Sequence, residues 1–202
     1  MVHRPITQFA PDPTALKALT HPVRLRMLSL LRLDGPATAS GLANRLGLNS
    51  GATSYHLRQL ALHGFIEEDS ARGNQRDRWW RSRHDMTTFL TDSVEGDTLE
   101  AGLAFQQAAI NWHMQQMQAA QNAYPDLPPD WRQAFTVSDY TIAMTAEAAA
   151  ALIEQIKALL TEAMAAAPPL VAPLPPGHRA FSVILNAAPL TAEPAGQGVE
   201  PK

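Results

Sequence analysis

The stretch of sequence that decides the fold is LANRLGLNSGATSYHLRQL, residues 42–60. Thr38, shortly before it, can cap a helix that ends at Gly47, because glycine readily adopts the left-handed conformation that terminates many helices. Leu48 then supplies an apolar side chain that can plug the turn. The stretch therefore predicts a short helix, a tight turn and a second helix.

The second predicted helix runs from its cap, Asn49 or Ser50, to about His63, and it has two different faces. The inward face recurs at i, i+4 and i+7 and consists of Thr53, Leu57 and Leu60. The opposite face carries small, hydrogen-bonding and cationic side chains: Ser50, Gly51, Ser54, Tyr55 and Arg58. Such a face can enter the major groove of DNA without steric obstruction and still reach base edges and phosphates.

Two further helices are predicted before this pair. The first covers Thr14 to Leu19, and the second restarts at His21-Pro22, since proline is favoured in the first turn of a helix. The apolar stripe of the second consists of Val23, Met27, Leu28, Leu30 and Leu31. Residues 1–13 contain several proline breaks and are predicted to form a flexible N-terminal arm.

A β-hairpin is predicted after the helices, with one strand at Phe65 to Glu68 and the returning strand at Arg76 to Arg81. The hairpin is interpreted as a wing whose tip, about residues 71–76, carries Arg72, Asn74 and Arg76. A tip of this composition can lie along the phosphate backbone or enter a minor groove.

The charge of the chain is divided unevenly along its length. Residues 1–84 contain 12 Lys and Arg against 6 Asp and Glu, whereas residues 85–202 contain 4 against 13. The two parts therefore carry +6 and −9, which add to the net charge of −3. A basic, arginine-rich segment is expected of a protein that neutralises DNA phosphates, although a solvated arginine surface would give the same count.

Together these motifs resemble the ArsR/SmtB family of winged-helix transcriptional regulators. The resemblance is carried by LKALTHPVRL at 16–25, LANRLGL at 42–48, SYHLRQL at 54–60, GFI at 64–66 and the Arg72-Gly73 tip. It implies a homodimeric repressor whose paired recognition helices, about residues 50–63, address an imperfect palindrome. By position it implies base-reading roles for Ser50, Gly51, Ser54 and Tyr55, with Asn49 and Arg58 flanking them.

The absence of cysteine separates this sequence from the metal sensors of that family. Those members often place cysteines on the helix before the recognition helix, where this chain has Ala43-Asn44-Arg45. Histidine and carboxylate ligands could still bind a metal, but Asp97, His113 and His178 are too scattered along the sequence to form a recognisable set. We therefore expect no metal site and no cofactor.

A long helix is predicted from Asp97-Thr98-Leu99-Glu100, which has the form of a capping box, to about Asn122. Its apolar stripe consists of Leu103, Phe105, Ile110, Trp112, Met114 and Met117. In the family that the chain resembles, a helix after the wing builds the dimer interface, and we expect that role here. The same residues could instead form intramolecular core, or line a pocket for a small apolar effector, since methionine adapts to irregular shapes.

The last part of the C-terminal region is predicted to form a strand-helix-strand appendix. It comprises a linker at Tyr124 to Asp130, a strand at Phe135 to Met144, a helix from Ala146 to about Ala166 capped by Thr145, and a strand at Arg179 to Ala187. We expect the appendix to pack on the long helix and enlarge the dimer. Residues 188–202, rich in proline, glycine and alanine, are predicted to be a disordered tail.

The sequence as a whole predicts a mainly α protein with small β elements (α+β). A winged helix-turn-helix domain at 14–84 is followed by a region at 85–187 for dimerisation and possible effector binding. The sequence shows neither a signal peptide nor the ~18 consecutive apolar residues that a membrane helix needs. We therefore expect a cytoplasmic protein without a membrane partner.

Sequence-specific DNA binding is the leading functional hypothesis, with double-stranded DNA and a second copy of the chain as partners. The alternative is a winged-helix protein-interaction module whose arginines are merely solvated. Enzymatic function is not expected, because the sequence has no glycine-rich phosphate loop, no nucleophile elbow and no run of metal ligands.

Overall fold

The computed structural model describes residues 4–72, 77–88, 95–170 and 173–190. The described residues form a mainly helical fold with small β elements, which confirms the predicted fold class. The helices are α1 (Pro13–Leu19), α2 (Pro22–Leu33), α3 (Ala39–Leu46), α4 (Ser50–Leu62), α5 (Gly96–Ala123), α6 (Pro129–Ala134) and α7 (Ala146–Ala166). The strands are β1 (Gln8–Phe9), β2 (Ala37–Thr38), β3 (Ile66–Glu68), β4 (Trp79–Ser82) and β5 (Met86–Thr87).

The first helices begin where a side chain can satisfy a free backbone N–H group. Asp12 accepts from the amide of Ala15 at 2.7 Å and starts α1. Thr38 and Asn49 cap α3 and α4 in the same way, with acceptor distances of 3.1 and 2.7 Å. Each such bond satisfies a donor that the helix itself leaves unpaired, so the starting residues of these helices are determined locally.

The turn between α3 and α4 has the geometry that the sequence predicted. Gly47 lies in the left-handed region with φ at 66°, and the amide of Leu48 donates back to the carbonyl of Ala43 at 2.9 Å. Leu48 is partly buried against the core. The turn directs α4 across the end of α3, so that α4 presents one face to the core and the other to solvent.

Replacing Gly47 with alanine should lower the free energy of unfolding by about 1 kcal/mol, because an L side chain is strained at this positive φ. An added Cβ would meet nothing within 4 Å, so the cost lies in the backbone alone. Gly51→Ala in α4 is the matched control and should leave stability unchanged or raise it, since its Cβ would make only a 3.4 Å contact with Asn49. Equal thermal midpoints for the two variants would contradict this account.

The hydrophobic core lies among the first four helices and the three-stranded sheet. Its largest fully buried side chains are Leu16, Leu19, Met27, Leu28, Leu42, Leu57, Leu60, Phe65 and Ile66. Thr53 is also fully buried, and its hydroxyl donates to the carbonyl of Asn49 at 3.0 Å. The predicted inward face of α4 is therefore confirmed, and this packing fixes the rotation of α4 about its axis.

The hairpin after α4 belongs to a sheet with strand order β2-β4-β3, in which both pairings are antiparallel. Ala37 lies opposite Trp80, and Glu67 lies opposite Arg81. Because β2 immediately precedes α3, the sheet ties the hairpin to the start of the helix-turn-helix. The returning strand begins at Trp79, later than the predicted Arg76, and residues 73–76 of the predicted tip lie outside the described residues.

The N-terminal segment differs from the flexible arm predicted for residues 1–13. Gln8–Phe9 pair in parallel with Met86–Thr87, and the Phe9 ring contacts Phe65 edge-on at 5.2 Å. The Asp85 carboxylate accepts from the amide and hydroxyl of Thr7 and from Arg4, each at 2.8 Å. Burial raises the pKa of Asp85, but these donors outweigh burial and hold it below its ordinary value. The segment is held by partners about 80 residues away in the sequence, which local proline content could not indicate.

The predicted long helix is confirmed as α5, although it begins one residue early, at Gly96. Its N-cap residue, Glu95, makes no side-chain capping bond, so the proposed capping box at Asp97 is not the start of the helix. Ala101 and Gly102 are buried where α5 packs on α1 and α2. α5 therefore extends away from the core with only its first part covered.

The predicted strand-helix-strand appendix is confirmed only in its helix. α7 begins after Thr145, which accepts from the amide of Ala148 at 3.2 Å, and ends at Ala166 as predicted. The segments at 135–144 and 179–187 are not strands, because neither has a neighbouring strand among the described residues with which to form a ladder. The predicted linker also contains a 3-10 turn at Tyr124–Asp126, and α6 follows it. Of the predicted tail, residues 191–202 lie outside the described residues.

Candidate nucleic-acid interface

The outward face of α4 is open to solvent along its first two turns. Ser50, Gly51, Tyr55 and Arg58 are exposed, and Ser54 is half-buried between them. Tyr55 is 51% exposed although it is aromatic. The predicted candidates on α4 are therefore brought together on one surface, opposite the fully buried Leu57 and Leu60.

A polar groove of about 400 Å³ lies between this face and the wing strand β4. It is lined by Thr38, Ala39, Ser40, Ser50, Ser54, Arg58, Asp77, Arg78 and Trp80. The groove combines hydroxyl groups from the starts of two helices with two guanidinium groups. Hydroxyls and guanidinium groups are the donors that bind phosphates and base edges, so the groove can accept one strand of a polyanion.

Part of this groove could not be predicted from the sequence. Ser40 and Arg78 were not among the predicted candidates, because Ser40 lies on the helix before the recognition helix and Arg78 lies beyond the predicted tip of the wing. The guanidinium carbon of Arg78 is 5.8 Å from the Trp80 ring, so this arginine also packs on the tryptophan. The pairing of Thr38 with Trp79 is what brings Ser40 beside the wing.

Asn49 is exposed, but its side-chain oxygen is already occupied as the cap of α4. Its contribution to the interface is thus to fix the start of the helix. Arg58 is anchored differently, because its Nε donates to the carbonyl of Ser54 at 3.2 Å. That bond holds the guanidinium group beside the groove, which Arg58 lines.

The wing arginines are held in exchangeable ion pairs. Arg81 and Arg83 share Glu67 at 2.7 and 3.5 Å, and Arg78 contacts Glu68 at 3.2 Å. Ion pairs this exposed contribute only about 0–1 kcal/mol, so phosphates can compete for the arginines at little cost. The carboxylates also reduce the net charge of the wing, which limits its attraction to nonspecific polyanions.

The predicted tip residues can be followed only in part. Arg72 is about half exposed, lies 3.5 Å from Asp69 and places its guanidinium carbon 6.0 Å from the Trp79 ring. These contacts hold the arginine at the base of the tip. Asn74 and Arg76 lie outside the described residues, so their roles stay predictions.

A pair of histidines lies directly behind the recognition surface. The rings of His21 and His56 are 4.5 Å apart, and the Tyr55 ring is 5.6 Å from His56. Burial, followed by the positive charge of Arg24, lowers the pKa of His21. The pKa of His56 is lowered by burial, by His21 and by Arg24, and its buried Nδ1 has no hydrogen-bond partner among the described residues. Folding therefore favours the neutral form of both rings.

The free energy of unfolding should fall as the pH drops through about 6.5 and below. A histidine whose pKa is lowered by folding takes up its proton more readily when unfolded, so its stabilising contribution is complete above the unfolded pKa and is lost on acidification. Urea denaturation at pH 7.5 and 5.5 measures the difference, which His56→Gln should reduce. His178→Gln, at an exposed position, is the control. An unchanged pH dependence in His56→Gln would show that this ring pair is not responsible.

The predicted C-terminal candidates fall into two groups. Leu103, Ile110, Met114 and Met117 are exposed on α5, whereas Phe105 and Trp112 are half-buried and turn toward α2. The prediction that these six residues form one surface of α5 is therefore wrong. A helix of this length has room for an inward and an outward apolar side, and the sequence pattern merged them.

A pocket of about 250 Å³ lies between α2 and α5, and its lining includes Leu25, Leu28, Arg32, Phe105, Trp112 and His113. Arg32 donates from Nε to the carbonyl of His84 and from Nη2 to the hydroxyl of Thr87, and burial lowers its pKa to about 10. Burial also lowers the pKa of His113, whose Nδ1 is buried without a partner among the described residues. The methionines proposed for a pocket do not line it.

Two other kinds of site were sought in the described ranges. No group of three or more His, Asp or Glu side chains there is arranged to hold a metal ion. In the same ranges, no helix combines the length and apolar character needed to cross a membrane.

Comparison with known proteins identifies the class of the N-terminal part. Residues 19–69 match the family model of a helix-turn-helix domain. The HTH-type transcriptional regulator YgaV of Escherichia coli (strain K12) is 44% identical over 62 residues, which is 30% of this chain and 60% of that protein. The chain thus spans less than two thirds of the length of this curated relative. Residues 19–69 form a helix-turn-helix domain.

Solved structures with local similarity include two bacterial proteins. Reduced HlyU from Vibrio cholerae N16961 has 24% identity, with 46% of this chain and 82% of that chain covered and a TM-score of 0.30. Wild-type MarR from E. coli in its apo form has 15% identity, with 72% and 86% covered and a TM-score of 0.30. Similarity at this level carries no argument about function.

Proposed function

We propose that the protein is a sequence-specific DNA-binding regulator of transcription. The observation that carries the proposal is the groove between α4 and β4, where small hydroxyl side chains and two arginines lie on one exposed surface. The helix-turn-helix match and the similarity to a transcriptional regulator support a regulatory rather than an enzymatic role. We also propose that the protein is a repressor and that it is similar to the ArsR/SmtB regulators.

In the proposed complex, α4 enters the major groove from its N-terminal end. Ser50, Gly51, Ser54 and Tyr55 face base edges, while Arg58 and the wing arginines contact phosphates. Substitutions at Ser54 or Tyr55 should therefore change the preferred sequence. Substitutions at Arg72 or Arg78 should weaken binding to all sequences and reduce its salt dependence.

A gel-shift titration against the DNA upstream of the protein's own coding region is the direct test. A shifted fragment that resists excess unrelated DNA supports the proposal. Binding without sequence preference, or no shift even at low salt, would refute it and favour the alternative of a protein-interaction module. That module would also tolerate the triple substitution of Ser54, Tyr55 and Arg58 by alanine without loss of function.

We further propose that the regulator is a homodimer on an imperfect palindrome, with the outward side of α5 in its interface. Four large apolar side chains on one helix are costly to expose to water: Leu103, Ile110, Met114 and Met117. Met114→Glu should raise the dimer dissociation constant at least tenfold in sedimentation equilibrium. Gln115→Glu adds the same charge at the neighbouring position and should change it little; an equal effect of both would argue against this interface.

The pocket between α2 and α5 is our candidate site for a small apolar effector. It joins α5 to the helix-turn-helix, so occupancy could alter the spacing of two recognition helices. Indole, used as a small apolar probe, should raise the thermal midpoint of the protein. Ala109→Phe, which fills the pocket, should abolish that rise, and a rise that persists in the variant would place the probe elsewhere.

A further inference from the structure

Two segments of the C-terminal half lack backbone partners. Residues 136–144 and 179–187, called here the two unpaired segments, form neither helix nor strand. Among the described residues, none of their amide or carbonyl groups makes a backbone hydrogen bond. Exposed backbone groups of this kind can bond to water, but they are also available to pair with another strand.

The apolar side chains of the two unpaired segments are exposed. Val137 is 75% exposed, Tyr140 85% and Ile142 59%. In the second segment, Phe181, Val183 and Leu185 recur at every second position and are also exposed. Spacing by two puts these three residues on one face of a strand, where they could be buried together. The second segment therefore has the pattern of a strand, and the first has it from Tyr140 through Ile142 to Met144, with Val137 out of phase. Both have the length of typical strands, but neither has a sheet to join among the described residues.

The total accessible surface indicates how much burial is missing. It is 14496 Å² for a chain of 22.0 kDa. A folded monomer of this mass exposes about 9,300 Å² by the usual scaling of surface with mass. The excess is on the order of 5,000 Å² per copy, whereas obligate homodimers bury roughly 2,000–5,000 Å² in total, half of it on each copy. A second copy can thus supply part of the missing burial.

α7 connects the two unpaired segments and shows the same lack of cover. No residue of α7 is buried, although Ile153, Ile156, Leu160 and Met164 form a stripe on its less exposed side. One backbone hydrogen bond joins the last turn of α7 to the N-terminal segment: the amide of Arg4 donates to the carbonyl of Ala165 at 3.1 Å. The appendix is therefore attached to this chain, which leaves every residue of α7 at least partly exposed.

We propose that the two unpaired segments become β-strands by pairing with a second copy of this chain, which forms an intermolecular sheet covered by α7. In this proposal the strand-helix-strand arrangement that the sequence predicts forms in the dimer, whereas a single chain forms only its helix. This interface is separate from the outward side of α5 and does not depend on DNA binding.

A second copy is favoured over other occupants by charge and composition. Each segment contains one charged residue, Asp139 in the first and Arg179 in the second. Few charges therefore oppose pairing at the segments themselves, and exposed unpaired strands readily pair with each other. The net charge of −9 on residues 85–202 disfavours a nucleic acid as the occupant.

Hydrogen exchange on the full chain, read by mass spectrometry together with sedimentation equilibrium, tests the proposal. Amides of both segments should be protected at concentrations where the protein is dimeric and should lose protection on dilution to monomer. A monomeric wild type, or rapid exchange of both segments within a dimer, would overturn the proposal. Protection that persists in a monomer would also overturn it, since the pairing would then be intramolecular.

Matched substitutions distinguish the burial of one face of each segment from a general disruption of the segment. Val183→Lys and Ile142→Lys should abolish protection of the segments and raise the dissociation constant at least tenfold. Ser182→Lys and Thr141→Lys place the same charge at adjacent positions and should change both quantities much less. Tryptophan fluorescence of the wing checks that the helix-turn-helix remains folded in every variant. Equal effects of the two pairs would overturn the proposal, whereas failure of the gel shift alone would leave it intact.

Discussion

A Leu57→Ala variant should lose about 3 kcal/mol of its free energy of unfolding, the largest stability effect expected in the helix-turn-helix. Leu57 is fully buried on the inward face of α4, among the residues that join the helices to the sheet. Truncation of such a side chain removes its burial and leaves a cavity, which together cost about 2–5 kcal/mol. Urea denaturation followed by circular dichroism measures the loss.

Leu62→Ala on the same helix is the matched control. Leu62 is 74% exposed, so the same chemical change should alter stability by less than about 0.5 kcal/mol. A comparable loss of stability in both variants would mean that Leu57 and Leu62 do not lie on the inward and outward sides of α4. The recognition face would then be misassigned as well.

An Arg58→Glu variant should bind its specific DNA about 100-fold more weakly than the wild type. The substitution replaces a cation in the α4–β4 groove with an anion, and the loss of an arginine contact to DNA alone costs ~1–3 kcal/mol. Because one phosphate or base contact is lost, the dependence of affinity on salt should also become shallower. Fluorescence anisotropy at several salt concentrations measures both effects.

Lys157→Glu makes the same change of charge on α7, where the lysine pairs with Glu154 at 2.7 Å. Its affinity for DNA should remain within a few-fold of wild type, because the position lies outside the groove. Similar losses in the two variants would show that net charge, and not the groove, governs binding. The protein would then bind DNA nonspecifically.

The helix-turn-helix could be predicted from the sequence because its signals are local. The caps at Thr38 and Asn49 act over three residues, and the left-handed turn needs only Gly47. The inward face of α4 follows from helical spacing alone. Each of these features is decided within a few residues, so a single sequence suffices to find it.

The features that sequence analysis missed depend on distant partners. Gln8 pairs with Met86, and Ser40 reaches the groove only because β2 pairs with β4. Neither strand pairing leaves a recognisable pattern in the sequence of the strands that form it. Phe105 and Trp112 were likewise grouped with the outward residues of α5, because apolar spacing does not tell which side of a helix meets a neighbour.

The parallel pairing of Gln8–Phe9 with Met86–Thr87 also defines the smallest unit that should be studied in isolation. A fragment cut at Thr14, the boundary that helix signals suggest, would uncover the Phe65 ring, which is otherwise fully buried. It would also leave His84 without the Phe9 ring that stacks on it at 4.9 Å. A fragment that begins at residue 4 keeps this closure, so an independently folding module should start ahead of its first helix.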